Sequence, residues 1–327
     1  MHILITGGAG YIGSHAARLL HQQGHEVWIY DNLTTGHRAA VVPGRLIEGN
    51  LIDRAKLTDA LRGKKIDAVM HFAASALVGE SVLDPAKYYQ NNIVSSCTLF
   101  EAMREVGVSR IVFSSTAATY GTPSHMPITE QTPQQPINPY GFTKLAIERA
   151  LRDYAAAYGW GYAALRYFNA AGASQSYDIG EDHDPETHLI PIVLQVALGQ
   201  REAVTIFGND YETSDGTCLR DYIHVDDLAT AHLAALERLV AGKGLELNLG
   251  TGRGYTVQQV IDAAMQVTGR AIRANIGARR AGDPGELVAN SSLAQRTLGW
   301  RPQFVEIEPI VETAWRWHQK HPNGYGG

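Results

Sequence analysis

The sequence has little of several features that mark particular classes of protein. Only two of its 327 residues are cysteines, Cys97 and Cys218. Two are too few for a disulfide framework and are typical of a reducing, cytoplasmic environment. No apolar run approaches the roughly 18 residues that span a bilayer, and residues 1–7 carry no basic segment. We therefore expect a cytoplasmic protein without a membrane anchor or a secretory signal.

Neither sign of charge is in large excess. Lysine and arginine number 28 against 33 acidic residues, a formal charge of −5, which argues against a general nucleic-acid binder. Apolar residues make up 45% of the chain and charged residues 19%, the balance of a folded globular protein. At roughly 100–200 residues per domain, the length predicts two domains, or one with an appended lobe.

Glycine is the abundant residue, at 33 positions, about a tenth of the chain where roughly 7% is usual. Gly7, Gly10 and Gly13 form a G-x-x-G-x-x-G pattern between a predicted strand at 1–6 and a predicted helix at 14–23. A loop without side chains lets the backbone approach a pyrophosphate, whose charge the helix N-terminus stabilises. A tight turn alone also needs glycines, so a purely structural role stays open.

Apolar runs that read as strands alternate with amphipathic helices. Strands are predicted at 1–6, 26–30, 66–72, 110–115, 162–168 and 246–249, and helices at 14–23, 85–106, 140–158, 189–198 and 223–240. Strands joined by helices of this length imply right-handed crossovers and a parallel sheet covered on both faces. The fold class is therefore predicted as α/β, with a doubly wound, Rossmann-like parallel sheet and a smaller mixed α/β lobe.

Asp31 ends the second predicted strand, where a carboxylate can bind the ribose hydroxyls of a dinucleotide. An acid there repels a 2′-phosphate and so favours NAD over NADP; the alternative is an ordinary turn residue. We expect residues 1–172 to form an NAD-binding domain, to which 221–250 return, and residues 173–327 to form the substrate lobe.

Tyr140 and Lys144 stand four residues apart at the start of a predicted helix and so share one face. A nearby ammonium favours the phenolate and lowers the phenol pKa from about 10, which would make Tyr140 a general base. Thr116 closes a strand at the edge where such sheets bind ligands, so its hydroxyl can share the same substrate oxygen. Alone, Y-x-x-x-K also describes an ordinary surface pair.

An acidic, histidine-containing segment includes Glu181, His183, Glu186 and His188. Its spacing matches no established metal-binding pattern, and solvated acidic loops are common. We therefore expect no metal.

Taken in order, the motifs resemble the UDP-glucose (UDP-galactose) 4-epimerases of the extended short-chain dehydrogenase/reductase family. The matching segments are TGGAGYIG at 6–13, DNL at 31–33, HFA at 71–73, VGES at 78–81, YYQNN at 88–92, FSST at 113–116, PYGFTK at 139–144, RYFN at 166–169, IFGNDY at 206–211, RDYIH at 220–224 and RRAGD at 279–283. The resemblance runs nearly from end to end of the chain.

The resemblance implies a chemistry. Tyr140, assisted by Thr116 and Lys144, deprotonates the sugar 4-hydroxyl while a hydride passes from C4 to tightly held NAD. The 4-keto sugar then turns about its diphosphate, and the hydride returns to the other face. A homodimer through helices 85–106 and 140–158 is also implied.

Site residues follow from the same resemblance. Contacts to NAD are implied for Gly7, Gly10, Tyr11, Ile12, Gly13, Asp31, Asn32, Asn50, Leu51, Phe72, Ala73, Asn91, Tyr140, Lys144 and Phe168. Contacts to the UDP-sugar are implied for Thr116, Asn169, His188, Leu189, Phe207, Arg220, Tyr222, Arg280, Asp283 and Leu287. Arginine forks suit a diphosphate.

Some positions depart from the family pattern. Thr116 stands where many members have serine, Asn50 replaces an aspartate, and Ala76 replaces a lysine that some relatives place near NAD. His188 replaces an asparagine that often binds the UDP-sugar. Leu287 replaces a tyrosine thought to restrict the pocket to unsubstituted hexoses, so N-acetylated sugars are expected to fit.

Other enzymes on the same scaffold remain alternatives: a 4,6-dehydratase, a UDP-glucuronate-processing enzyme or a non-catalytic NAD sensor. A dehydratase needs an acid/base pair beside the catalytic hydroxyl, but Ala117 and Ala118 follow Thr116. A sensor has no use for Tyr140 and Lys144.

Overall fold

The computed structural model describes residues 1–280 and 284–326. Its strands, in chain order, are β1 (His2–Thr6), β2 (Glu26–Asp31), β3 (Leu46–Glu48), β4 (Ala68–His71), β5 (Arg110–Thr116), β6 (Gly161–Tyr167), β7 (Asn169–Ala171), β8 (Val204–Phe207), β9 (Leu219–His224), β10 (Gly244–Leu249), β11 (Gly254–Thr256), β12 (Ala274–Gly277) and β13 (Glu286–Leu287). Its α-helices are α1 (Tyr11–Gln22), α2 (Arg54–Gly63), α3 (Val78–Leu83), α4 (Pro85–Tyr88), α5 (Ser95–Val106), α6 (Pro139–Tyr158), α7 (Leu189–Ala197), α8 (Val225–Glu237), α9 (Val257–Thr268), α10 (Ser292–Leu298) and α11 (Ile307–Lys320).

Seven strands form one sheet in the order β10-β6-β5-β4-β1-β2-β3, and each neighbouring pair is parallel. From β1 the chain first adds β2 and β3 on one side of the sheet and then, from β4 onward, adds strands on the other side. At this change a crevice opens at the carboxyl ends of β1 and β4. The predicted doubly wound α/β fold is confirmed.

Both faces of this sheet are buried because successive side chains of a strand point to opposite sides. In β1, Ile3 and Ile5 pack into a core with α1 and α8, whereas Leu4 packs into a second core with α2, α5 and α6. All three side chains are fully buried. This continuous apolar run is what a sheet covered by helices on both faces requires.

The smaller lobe combines short strands with α7, α9 and α11. Strands β11, β9 and β13 pair in that order, with β7 beside β9, and β8 pairs with β12. A third core cluster fills the space between these strands and the helices. This is the predicted mixed α/β lobe.

Three predicted helices differ in the structure. The helix expected over 14–23 begins three residues earlier, at Tyr11. The helix expected over 223–240 begins at Val225, because Ile223 and His224 complete β9. The helix expected over 85–106 contains a π-helical turn, Tyr89–Val94, between α4 and α5. This turn directs Asn92 inward, where its amide nitrogen donates to the Ser75 carbonyl and to Thr143 Oγ1. Among the described helices, none is long and apolar enough to cross a bilayer.

Candidate active site

The glycine motif spans the turn from β1 to α1, with Gly13 already in the first turn of the helix, and its glycines have different functions. Gly7 has a φ of +71°, and a Cβ there would lie 2.5 Å from the Ala73 nitrogen. A Cβ on Gly13 would overlap the carbonyl oxygen of Gly7. The space around Gly10 is open, since a Cβ placed there would meet only the Gly7 carbonyl oxygen, at 3.4 Å. Gly7 and Gly13 are therefore needed to close the loop, while Gly10 leaves the bare surface beside the helix N-terminus.

Asp31 connects the end of β2 to the glycine loop. One carboxylate oxygen accepts a hydrogen bond from the Ala9 backbone at 3.0 Å, and the other accepts from Leu33 at 2.8 Å. The residue therefore has the turn function that the sequence left open. The same bonds hold its carboxylate against the loop, where a ribose would be recognised.

The catalytic residues predicted from the sequence meet at the carboxyl end of β5. Thr116 ends this strand, and Tyr140 and Lys144 lie in the first turns of α6. Asn138 caps α6 by accepting from the Gly141 backbone at 2.8 Å. The lysine Nζ donates to the carbonyl of Ser114 at 2.8 Å, which fixes the ammonium beneath the strand end.

Burial dominates the electrostatics of this group. It raises the pKa of Tyr140 above its ordinary value, and the Thr116 hydroxyl, which donates toward the phenol oxygen, lowers it in part. Burial also lowers the pKa of Lys144 to about 7, opposed by the charge of Glu148. The Nζ atom lies 5.9 Å from the centroid of the Tyr140 ring. Burial therefore outweighs the ammonium: with the protein side chains alone, the expectation that Lys144 lowers the phenol pKa below 10 is wrong.

A buried ion-pair network supports α6 and was missed from the sequence. Glu148, one turn after Lys144, and Arg166 on β6 form two hydrogen bonds of 2.9 and 2.6 Å. Their side chains are at most 1% exposed. Glu148 also accepts from Ser115, the neighbour of Thr116. Its spacing from Lys144 was the available signal, but an acid four residues after a lysine more often forms a surface pair.

The remaining residues implied for NAD surround the same crevice. Phe72 and Ala73 directly follow β4, and the Ala73 nitrogen donates to the Thr6 carbonyl at 3.1 Å. Tyr11 donates to the Gly172 carbonyl at 2.6 Å, and Asn91 donates to Ser75 at 3.0 Å.

Four other implied residues lie near the ends of β2, β3 and α1. The side-chain oxygens of Asn32 and Asn50 each accept a hydrogen bond, at 3.1 Å, from the backbone nitrogen of the residue two positions later. The side-chain carbonyl of Asn50, which stands where the family pattern has an aspartate, therefore already closes a turn. Leu51 is buried and Ile12 packs against the core on the α1 side of the sheet.

Residues implied for the UDP-sugar come mainly from the smaller lobe. Asn169 on β7 lies opposite Tyr222 on β9, and its amide donates to the Asp221 carbonyl at 3.0 Å. Leu287 on β13 lies opposite Arg220. Because Arg220 and Tyr222 are two residues apart on β9, pairing with this strand starts the four side chains from one face of the sheet, on which Tyr222 is buried in the core of the smaller lobe.

Leu287 also packs in a small apolar cluster with Ala117 and Phe168, which places it next to the strand end that carries Thr116. Two further predicted residues lie together at the end of the β8–β12 ribbon. The guanidinium of Arg280, three residues after β12, lies 4.0 Å from the ring centroid of Phe207, the last residue of β8. Asp283 lies outside the described residues.

The last two residues implied for the UDP-sugar, His188 and Leu189, lie where α7 begins. Leu189 is the first residue of the helix. His188 Nδ1 lies 2.9 Å from Glu186 and 3.0 Å from Glu181, so this ring nitrogen faces two carboxylates.

Comparisons with known proteins agree with this geometry. The NAD dependent epimerase/dehydratase family matches residues 3–250. UDP-glucose 4-epimerase of Halalkalibacterium halodurans is 54% identical over 99% of this chain and 98% of its own length. The crystal structure of UDP-glucose 4-epimerase from Brucella ovis in complex with NAD has a TM-score of 0.93 at 49% identity, covering 96% of this chain and 97% of that one.

A second solved structure, UDP-glucose 4-epimerase from Bifidobacterium longum in complex with NAD⁺ and UDP, has a TM-score of 0.95 at 39% identity. The match covers 99% of this chain and all of that one. The similarity to UDP-glucose 4-epimerases thus extends over the whole chain. It includes the parallel sheet, the glycine loop and the group formed by Thr116, Tyr140 and Lys144. The chain belongs to the NAD-dependent epimerase/dehydratase family, among its UDP-glucose 4-epimerases.

Proposed function

We propose that this chain interconverts UDP-glucose and UDP-galactose by epimerisation at C4, with NAD as its cofactor. The observation that carries the proposal is the meeting of Thr116, Tyr140 and Lys144 at the carboxyl end of β5. This position adjoins the crevice between β1 and β4, in which doubly wound sheets bind dinucleotides.

The residues present fit NAD. Gly10 leaves open surface at the N-terminus of α1, where backbone N–H groups favour a pyrophosphate. Asp31 holds a carboxylate beside that loop, which suits two ribose hydroxyls and repels a 2′-phosphate. When bound, NAD supplies a cationic ring that takes a hydride from C4 and returns it.

The chain's own residues control the proton of the 4-hydroxyl. Tyr140 accepts this proton as the sugar is oxidised and returns it when the sugar is reduced. Thr116 supports the phenol oxygen, and Lys144 is held in place by the Ser114 carbonyl. Because burial raises the pKa of Tyr140, the phenolate needs positive charge beyond that of the chain's own side chains.

Epimerisation also requires the keto sugar to present both of its faces. We infer that Arg220 and Arg280 hold the diphosphate, since guanidinium forks bind phosphate oxygens in pairs. The sugar can then turn while its anchor stays fixed. Leu287 lies beside this space, and its small side chain leaves room for an N-acetyl group, so we extend the proposal to UDP-GlcNAc and UDP-GalNAc.

We further propose that residues 1–172 with 221–250 form the NAD-binding domain and residues 173–327 the UDP-sugar lobe. The pairing of β10 with β6 supports the return of 221–250. A homodimer is supported by exposed apolar side chains on the two helical segments expected at its interface, including Tyr89, Val94 and Phe142. We place the activity in the cytoplasm, consistent with two cysteines that form no disulfide.

The proposal is tested by incubating the purified chain and NAD with UDP-galactose and following UDP-glucose by NMR. Tyr140→Phe removes the acid/base hydroxyl, and we expect turnover to fall by about 10²–10⁴-fold while NAD stays bound. Tyr158→Phe is the matched control, because this tyrosine is exposed at the far end of the same helix. Stoichiometric NADH, loss of water or no conversion would contradict the proposal.

A further inference from the structure

Outside the proposed catalytic group, Glu181, His183, Glu186 and His188 converge in the loop before α7. Each offers one ligand atom, and these atoms all lie within 4.8 Å of one another. We propose that this cluster binds a zinc ion that fixes the loop. The sequence spacing led us to expect no metal, but the chain folds back between His183 and Glu186 and brings the four side chains together.

The separations between donor atoms match a zinc site. Glu181 Oε1 lies 3.3 Å from His183 Nδ1 and 3.0 Å from His188 Nδ1. The Glu186 oxygens lie 3.5 and 2.9 Å from the same two nitrogens. Two ligands of a tetrahedral zinc ion with bonds of 2.0–2.1 Å are about 3.3 Å apart, and these four separations bracket that value.

His183 supplies a second, independent observation. Its Nδ1 atom is inaccessible to solvent and makes no hydrogen bond to any residue within 1–280 and 284–326. The atom nevertheless faces two carboxylates at 3.3 and 3.5 Å. A ring nitrogen so placed, without the alignment of an N–H···O bond, suits a lone pair directed at a shared ion.

Charge balance is compatible with an ion at the centre. The side chains of Glu181 and Glu186 are each only 5% exposed, and two carboxylates held together away from water are costly to bury without compensation. In the chain alone His183 and His188 compensate them, because the carboxylates raise the pKa of both imidazoles against the effect of burial. A divalent zinc ion would supply the same two positive charges to neutral imidazoles, with release of two protons.

Four protein ligands leave no position for substrate, so the ion is structural rather than catalytic. The His183 ring contacts Tyr11, at the start of α1, edge-on at 6.3 Å. His188 directly precedes Leu189, the first residue of α7. An ion here would fasten the loop between the cofactor side of the crevice and the smaller lobe. His188 would then act as a metal ligand through Nδ1 rather than contacting the sugar with that atom.

The test uses the untagged, full-length chain, since a polyhistidine tag would itself bind zinc. After dialysis against a chelator, Zn²⁺ is added and excess is removed by gel filtration. We expect about one zinc per chain by elemental analysis and a higher melting temperature than that of the chelated protein. Cobalt(II) in place of zinc should give the intense visible bands of tetrahedral coordination.

Variants decide whether the four residues are the ligands. His183→Ala and the isosteric Glu186→Gln should each weaken zinc binding by more than about tenfold, with NAD content and circular dichroism unchanged. His21→Ala and Glu312→Gln, at exposed positions on α1 and α11, should bind zinc like the wild type. If His183→Ala does not fold, Glu186→Gln decides the question. Zinc bound equally by wild type and Glu186→Gln, or not bound by the wild type, would overturn the proposal and leave an ion-pair cluster.

Discussion

Glu148 and Arg166 form a fully buried ion pair beside the proposed catalytic residues: two hydrogen bonds of 2.9 and 2.6 Å join helix α6 to strand β6. Loss of Glu148 removes both of these bonds and leaves Arg166 with Glu246, 2.7 Å away, as its remaining carboxylate partner. We expect Glu148→Gln to lower the free energy of unfolding by about 1–3 kcal/mol, measured by urea denaturation.

The control for this change is Glu312→Gln, which breaks an exposed pair with Arg316 within α11 and should leave stability unchanged within error. Glu148 also raises the pKa of Lys144, so its loss should reduce kcat as well. A Glu148→Gln protein as stable as Glu312→Gln would show that the buried pair contributes no net stability.

Gly7 and Gly10 should respond differently to the same substitution. Gly7→Ala places a methyl group against the Ala73 backbone at a φ of +71° and should destabilise the fold by about 1–3 kcal/mol or more. Gly10→Ala meets little within the protein, so the chain should fold normally but bind NAD at least about tenfold more weakly. Thermal unfolding and calorimetric titration with NAD separate the two effects. Equal losses of stability would contradict this division.

Leu287 is predicted to set the breadth of substrate acceptance. The wild type should turn over UDP-GalNAc, and Leu287→Tyr should reduce kcat/KM for UDP-GalNAc by at least about tenfold while UDP-galactose changes by only a few-fold. Leu293→Tyr, at an exposed position on α10, should leave the ratio unchanged. The measurement is the ratio of the two kcat/KM values, and an unaltered ratio in Leu287→Tyr would remove this assignment.

The burial of Lys144 predicts a pH dependence of stability. Its pKa is lowered to about 7 in the fold, against about 10.4 in an unfolded chain. Between these values the unfolded chain binds more protons, so the free energy of unfolding contributed by this group increases with pH and is lost as the pH falls. Wild type should therefore gain stability relative to Lys144→Met between about pH 7 and 10. Lys56→Met, at an exposed position on α2, should show no such divergence, and parallel wild-type and Lys144→Met curves would contradict the prediction.

Long elements were predictable from the sequence because they repeat one signal over many residues. The apolar run of β1 and the 20-residue α6 fall within one residue of their predicted bounds. Short elements give no such signal: the two residues of β13 and the three of β7 form strands only because both pair with β9. Helix α2 was not predicted at all.

In the site, the sequence order of motifs was enough to bring Thr116, Tyr140 and Lys144 together, because parallel strands end at one edge of the sheet. Properties that depend on burial were not accessible in the same way. The raised pKa of Tyr140 and the pairing of Glu148 with Arg166 follow from the burial of these side chains. The convergence of His183 with Glu186 depends on how one loop folds back.

The most direct test of the account is epimerisation of UDP-galactose in deuterium oxide, with the product followed by proton NMR. A hydride that leaves C4 and returns within the closed site does not exchange with solvent, so we predict UDP-glucose that keeps hydrogen at C4. Tyr140→Phe should give almost no product. Deuterium at C4, which indicates protonation of a carbanion by solvent, would contradict the account, as would the absence of conversion by the NAD-loaded wild type.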